Sequence, residues 1–205
     1  AGKKVNQVLI GSCTNSSYRD LKTVALMLRG KKIHPDVEVG VAPGSRQVVA
    51  MLAGEGLLTD LVAAGVRILE NACGFCIGNH MSPGTGAVSL RTSNRNFEGR
   101  TGTQSAQVYL VSPETAAAAA LTGVFTDPRT LASLPSGVVE PAVFGVDDSM
   151  FLFRGTAGKG VPGTEIVRGP NIGQVPSGKP LPGTVEGVAV IKVGDKVTTD
   201  HIMPA

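Results

Sequence analysis

Short apolar runs alternate with helical patterns over roughly the first 125 residues, and this alternation limits the fold more than any other feature of the sequence. Val5 to Ile10 (VNQVLI) reads as a buried strand. A Gly-Ser-Cys-Thr-Asn-Ser loop follows, and then a helical pattern from about Tyr18 to Leu28. The cycle repeats with Val37 to Val41 as strand, Pro43-Gly44-Ser45 as turn and N-cap, and Gln47 to Ala53 as helix. A third cycle runs through a helix at 57 to 64 and a strand from Val66 to Leu69 into a loop carrying two cysteines. Val108 to Val111 is a further strand. Ser112-Pro113-Glu114 then opens an alanine-rich helix to about Leu121, closed by Gly123. Strands alternating with helices of this length predict right-handed crossovers and a three-layer α/β domain, its parallel sheet covered on both faces. Ligands of such sheets sit at the carboxyl ends of the strands. Both cysteine-bearing loops follow predicted strands, so they are expected at one end of the sheet.

The texture changes near residue 134. Residues 135 to 205 hold 8 of the 13 prolines and no long helical pattern. The expected organisation is an α/β domain at 1–134, a Pro/Gly-rich linker at 135–185 and the truncated start of another domain at 186–205. In that last segment Thr184 to Val193 alternates like a strand, and Gly194-Asp195-Lys196 reads as a turn. An opening without Met and a stop at Pro204-Ala205 suggest a piece of something longer.

Composition removes several classes of function. Apolar residues are 42% and charged residues 17% of the chain, enough to bury a core and too apolar for disorder. No apolar run approaches the roughly 18 residues of a membrane helix, and no secretory h-region opens the chain, so the cytoplasm is the expected setting. A net charge of +3, with basic residues concentrated only at Lys3-Lys4 and Arg29 to Lys32, gives little support to nucleic-acid binding. Two tyrosines and six phenylalanines provide no stacking platform. An anionic small molecule remains a compatible ligand.

The three cysteines lie in Gly- or Asn-flanked loops, Gly11-Ser-Cys13-Thr-Asn15 and Asn71-Ala-Cys73-Gly-Phe-Cys76-Ile-Gly78. An odd number, two of them spaced Cys-x-x-Cys, is a poor disulfide framework and a good set of soft metal ligands. Spacing alone leaves an iron–sulfur cluster and a structural zinc ion equally open. Three thiolates on a four-iron cluster would leave one iron open as a Lewis acid able to grip a hydroxyl and a carboxylate. Downstream, Ser93-Asn94-Arg95-Asn96-Phe97-Glu98-Gly99-Arg100 places two arginines five apart around a glycine turn. Arginine pairs in loops are often exposed ion-pair formers. Beside a metal loop, however, their planar forks suit a di- or tricarboxylate.

These segments, with Leu110-Val-Ser-Pro-Glu-Thr-Ala-Ala-Ala-Ala-Ala120, resemble the aconitase superfamily in order over about residues 5 to 125. Gly194-Asp-Lys-Val-Thr-Thr-Asp-His-Ile202 is similar to the start of that superfamily's mobile swivel domain. The resemblance implies that Cys13, Cys73 and Cys76 ligate a 4Fe–4S cluster. It implies that Asn94 lies near the cluster, that Arg95 and Arg100 bind substrate carboxylates, and that Asp200, with His201 beside it, approaches from the swivel unit. Asp200 alone would equally read as a turn or cap residue.

The superfamily includes aconitate hydratase, homoaconitase and the 3-isopropylmalate dehydratase large subunit. Cys-Gly-Phe-Cys-Ile-Gly and Thr-Asp-His-Ile look more like aconitase, so citrate–isocitrate isomerisation through cis-aconitate is the expectation. Asn-Phe-Glu-Gly-Arg-Thr-Gly resembles the dehydratase large subunit and keeps the other two as alternatives. The implied partners are a hydroxy acid with two or three carboxylates and the remaining domains of the same enzyme. The family's acid–base residues come from regions outside this chain, so the chain alone is expected to be inactive. His34 and His80, single loop histidines, are expected to face solvent. Two readings of another class stand beside the enzyme: an RNA-binding module and a zinc-stabilised structural module.

Overall fold

The computed structural model describes residues 2–132, 134–135, 137–151, 161–165 and 167–203, without the side chains of 199 and 200. The chain divides into two units, Ala1–Asp147 and Asp148–Ala205. The first is built on five parallel strands, β1 (Gln7–Gly11), β2 (Glu38–Ala42), β3 (Arg67–Ile68), β4 (Val88–Arg91) and β5 (Gln107–Leu110), in the order β3-β2-β1-β4-β5. Four helices accompany them: α1 (Tyr18–Leu28), α2 (Arg46–Gly54), α3 (Leu57–Ala64) and α4 (Pro113–Thr122). This is the expected α/β fold.

Local chemistry accounts for the element boundaries. β1 is buried along its whole length, as expected of a central parallel strand covered on both faces. Ser17 and Asp20 form a reciprocal capping box at the start of α1, in which Leu21, Val24, Ala25 and Leu28 bury one stripe. Each such Leu or Val contributes about 1.5–3 kcal/mol by leaving water. Ser45 caps α2 by accepting from the amide of Val48 at 3.2 Å. In α4, Ser112 caps the start, Pro113 occupies the first turn and Gly123 ends the helix at φ 75°. Ala116 to Ala120 are fully buried there, and α4 packs against both α1 and β1. Side chains no larger than a methyl group allow that close approach.

Strand alternation separates two cores. Val8, Ile10, Val39, Val41, Val88 and Leu90 face the helical layer. On the opposite face Leu9, Ala42 and Phe75 cluster with Leu69 and Met81. The third layer is therefore formed by the loop after β3 and its 3-10 turn (Phe75–Ile77) rather than by an α-helix. Gly40 shows how tightly this loop lies on the sheet, because a β-carbon there would stand 2.7 Å from the Met81 Sδ. Topology explains the side chosen. The chain steps outward from β1 to β2 to β3, then returns to β4 on the other flank of β1. Right-handed connections that reverse direction must cross on the opposite face.

β4 is absent from the sequence reading. Its inward residues on the loop side are Ser89 and Arg91, both fully buried, which disguise a core strand as a polar segment. Residues 138–147 also belong to the first unit. Phe144 meets the Tyr18 ring edge-on at 6.4 Å, and Arg46 pairs with Asp147 at 2.9 Å.

The second unit differs from expectation. The strand predicted at Thr184 to Val193 does not form, and Val188, Val190 and Ile191 are exposed. An alternating pattern gives a strand only where a neighbouring strand takes its amides and carbonyls, and the described residues offer none. One short helical turn, α5 (Thr199–Ile202), is present there. Among the described residues no single helix is long and apolar enough to cross a membrane.

Candidate functional site

The direction reversal in the sheet lies between β1 and β4, and such a switch point opens a crevice beyond the carboxyl ends of the strands. Three loops meet at this edge: 11–16 after β1, 69–83 after β3 and 92–102 after β4.

The first loop is shaped by backbone that few residues tolerate. Gly11 (φ 109°), Ser12 (φ 74°) and Asn15 (φ 56°) all adopt positive φ. A β-carbon on Gly11 would stand 2.0 Å from the Ala42 carbonyl oxygen. The Gly11 amide donates to Thr92 Oγ1 at 2.9 Å, and Asn15 Nδ2 donates to the Thr92 carbonyl at 2.8 Å, which ties this loop to the one after β4. Cys13 is exposed at the apex, with its Sγ 3.6 Å from Thr14 Oγ1.

The second loop carries an exposed Cys73 and a buried Cys76, the latter only 4% accessible within the 3-10 turn. Phe75 between them plugs into the small core under the loop. Gly78, at φ 74°, lies so close to the third loop that a β-carbon would stand 2.6 Å from the Thr101 carbonyl carbon. The ring of His80 covers Gly74 and is itself exposed, as the sequence predicts. His34 differs: it is half-buried against Gly123 and accepts the Asp36 amide at Nδ1, because its own amide is drawn inward by the Ala120 carbonyl.

The third loop holds the arginines. Arg100 is buried, donates from Nε to the Cys76 carbonyl at 3.2 Å and stacks over Phe97 at 5.5 Å. Asn94 and Arg95 lie on its exposed side. The structure therefore brings Arg100 onto the cysteine loop and leaves Asn94 and Arg95 at the surface of the same edge. Asp200 belongs to α5 in the second unit, and its side chain lies outside the described residues. His201 closes its own turn, its Nδ1 2.7 Å from Thr198 Oγ1.

Sequence reasoning misses the polar network beneath the loops. Arg91 donates from Nε to Ser89 Oγ (3.0 Å), from Nη1 to the Phe75 carbonyl (2.6 Å), and from Nη2 to Gln7 Oε1 (3.0 Å) and the Met81 carbonyl (3.2 Å). Gln7 Nε2 reaches the same Met81 carbonyl at 3.0 Å. Burial pushes the Arg91 guanidinium down to about 10, partly offset by the Cys76 thiol, so it stays charged at neutral pH. An arginine within a short apolar run is the one local sign of it in the sequence.

Two observations bear on a metal. Among the described residues no three His, Cys, Asp or Glu side chains stand together as a ready metal-binding group, so the loops converge while their sulfurs are not gathered. Yet the donors are three soft thiols on two neighbouring loops, and among the described residues the buried hydroxyls of Ser12, Ser93 and Thr101 find no hydrogen-bond partner. Two of those hydroxyls adjoin Cys13 and Asn94, and the third adjoins Arg100. Unsatisfied buried groups of this kind are uncommon, and a bound water, ion or ligand is among the things that complete them.

A parallel sheet with cysteine-bearing and arginine-bearing loops meeting beyond the carboxyl ends of its strands defines an α/β domain that offers soft thiol ligands and carboxylate-binding forks at one edge. Residues 1–123 match the family model described as Aconitase family (aconitate hydratase), and the chain belongs to that family. It is similar to the homoaconitase large subunit of Thermus thermophilus, with 47% identity over 131 residues, 63% of this chain and 31% of that protein. Similarity to the 3-isopropylmalate dehydratase large subunit 1 of Methanopyrus kandleri is 47% over 129 residues, 62% of this chain and 31% of that protein. The corresponding large subunit of Solibacter usitatus is 49% identical over 133 residues, 63% of this chain and 28% of that protein. The chain thus spans less than a third of the length of these curated relatives.

Proposed function

We propose that this chain is the iron–sulfur portion of a hydro-lyase that removes water from, and returns it to, a hydroxy acid bearing two or three carboxylates. The observation that carries the reading is the meeting of the cysteine and arginine loops, made concrete by the Arg100 to Cys76 hydrogen bond. Cys13, Cys73 and Cys76 would hold a 4Fe–4S cluster, and an iron left without a thiolate supplies Lewis acidity toward a hydroxyl and a carboxylate. The chain's own residues bind and orient. Asn94 and Arg95, on the exposed side of the arginine loop, would receive a carboxylate from solvent, and Arg100 would present its fork from beside the cysteine loop. Asp200 would act from the swivel unit. The domain plan is 1–134 for the iron–sulfur domain, 135–185 for a linker whose first stretch, up to Asp147, packs on that domain, and 186–205 for the start of the swivel domain.

The substrate expectation shifts. The relatives named above are a homoaconitase and 3-isopropylmalate dehydratases, and this favours homologous dicarboxylate and tricarboxylate hydroxy acids over citrate. Citrate remains the alternative on the strength of Cys-Gly-Phe-Cys-Ile-Gly. The odd cysteine count with its Cys-x-x-Cys spacing, a poor disulfide framework, supports a cytoplasmic setting.

The test is anaerobic reconstitution of the complete protein with iron and sulfide, with zinc offered in parallel. Metal analysis and the visible spectrum come first, then dehydration assays with isopropylmalate and citrate and a hydration assay with homoaconitate. About four irons and four sulfides with turnover of one acid support the reading. A colourless protein that retains zinc alone refutes it in favour of a structural metal module.

A further inference from the structure

Arg91 is fully buried and pairs with no carboxylate among the described residues. Taking a guanidinium out of water is expensive unless its donors are satisfied and its charge is compensated. The donors are largely satisfied: two bonds go to the sheet, at Ser89 and Gln7, and two go to the loop, at the carbonyls of Phe75 and Met81. The charge has no such answer. A residue present only to fill this space would be apolar like its cross-strand partner Leu9 and the Phe75 ring beside it. The fork instead ties two strands to two points of the loop that bracket Cys76. Phe75, whose carbonyl accepts from Arg91, immediately precedes that cysteine.

We propose that Arg91 is a positioning residue for the cysteine loop. It holds the Phe75 and Met81 carbonyls in place and supplies the buried positive charge that offsets the thiolates of this loop and any group they bind. The charge-balancing half rests on the cluster reading above, whereas the clamp does not.

The experiment compares wild type, Arg91→Gln and Arg91→Lys in the complete protein, by amide hydrogen exchange without metal and by iron release to a chelator after reconstitution. The amides of Gly78 and Asn79 bond back to the carbonyls of Phe75 and Gly74 and report on the loop. In Arg91→Gln they are expected to exchange about ten- to a hundredfold faster, while amides of β1 stay within about twofold. Lys keeps the charge without the fork and should fall between. Iron release should rise in the order wild type, Lys, Gln. Unchanged loop exchange in Arg91→Gln, or an equal rise across the whole sheet, would overturn the clamp. Equal iron release from the Lys and Gln variants would overturn the charge half. If Arg91→Gln fails to fold, Arg91→Lys alone decides the clamp, because it lacks the fork and retains the cation. A wild type that takes up no iron and sulfide sinks the cluster reading separately, and the exchange data still judge the clamp.

Discussion

Replacing Gly78 by Ala would test whether the contact between the cysteine and arginine loops sets the geometry of the site. The residue sits at φ 74°, where an L side chain costs about 1–2 kcal/mol. The new β-carbon would stand 2.6 Å from the Thr101 carbonyl carbon and 2.7 Å from its oxygen, whereas carbon contacts are comfortable at about 3.5 Å. The obstacle is backbone, so the loops must part by nearly 1 Å, adding roughly 1–3 kcal/mol of packing strain. Together these amount to about 3 kcal/mol, or roughly 6–12 °C in Tm for a unit of this size. Function should suffer more than stability, because a displacement of about 1 Å can lower turnover about a hundredfold. Differential scanning calorimetry, iron content and kcat/KM of the complete protein read the two effects apart. Full activity with wild-type iron content would show that the two loops do not share one geometry, and the reasoning would fail.

Arg100→Lys should raise KM at least tenfold with a Tm change of only a few degrees, since Lys cannot make the forked contact and loses the bond to the Cys76 carbonyl; an unchanged KM in steady-state assays would contradict the assigned role. Ala118→Leu should destabilise by about 3 kcal/mol or more in chemical denaturation, because α4 has no room between α1 and β1. Glu55 accepts from Tyr18 and pairs with Lys22 at 2.8 Å, bonds that hold its carboxyl below the ordinary value. Its contribution is therefore present above the unfolded carboxylate pKa and lost as pH falls through the lower folded value. Glu55→Gln should flatten the acid limb of a Tm-against-pH curve between about pH 5 and 3, and an unaltered slope would remove Glu55 from the account of acid stability.

The parts of the fold that were legible are those whose signals are local. Ser45, Ser112 with Pro113, and Gly123 bounded their helices within a residue or two, and β1 and β2 stood out as apolar runs. β4 escaped because its buried polar residues find partners far off in sequence, Arg91 at the Phe75 carbonyl sixteen positions away and Ser89 at Gln7 eighty-two positions away, which no local window contains. At 184–193 the error ran the other way: the period suited a strand, but the described residues offer no neighbouring strand to pair with it. The cysteine and arginine motifs were readable by chemistry and order. The bond between Arg100 and the Cys76 carbonyl was not, because it depends on where the chain reverses direction in the sheet.

The Phe75 plug between Cys73 and Cys76 has a consequence for assembly. An aromatic ring seated among Leu9, Ala42, Leu69 and Met81 fixes the backbone of this segment before anything binds to it. Ordering a free loop costs about 1–2 kcal/mol for each residue immobilised, and that cost is met here during folding rather than during capture of a cofactor. Gathering the three sulfurs then falls to the exposed Cys13 and Cys73 rather than to the buried Cys76, so the movement that capture requires is concentrated on the outer parts of the two loops.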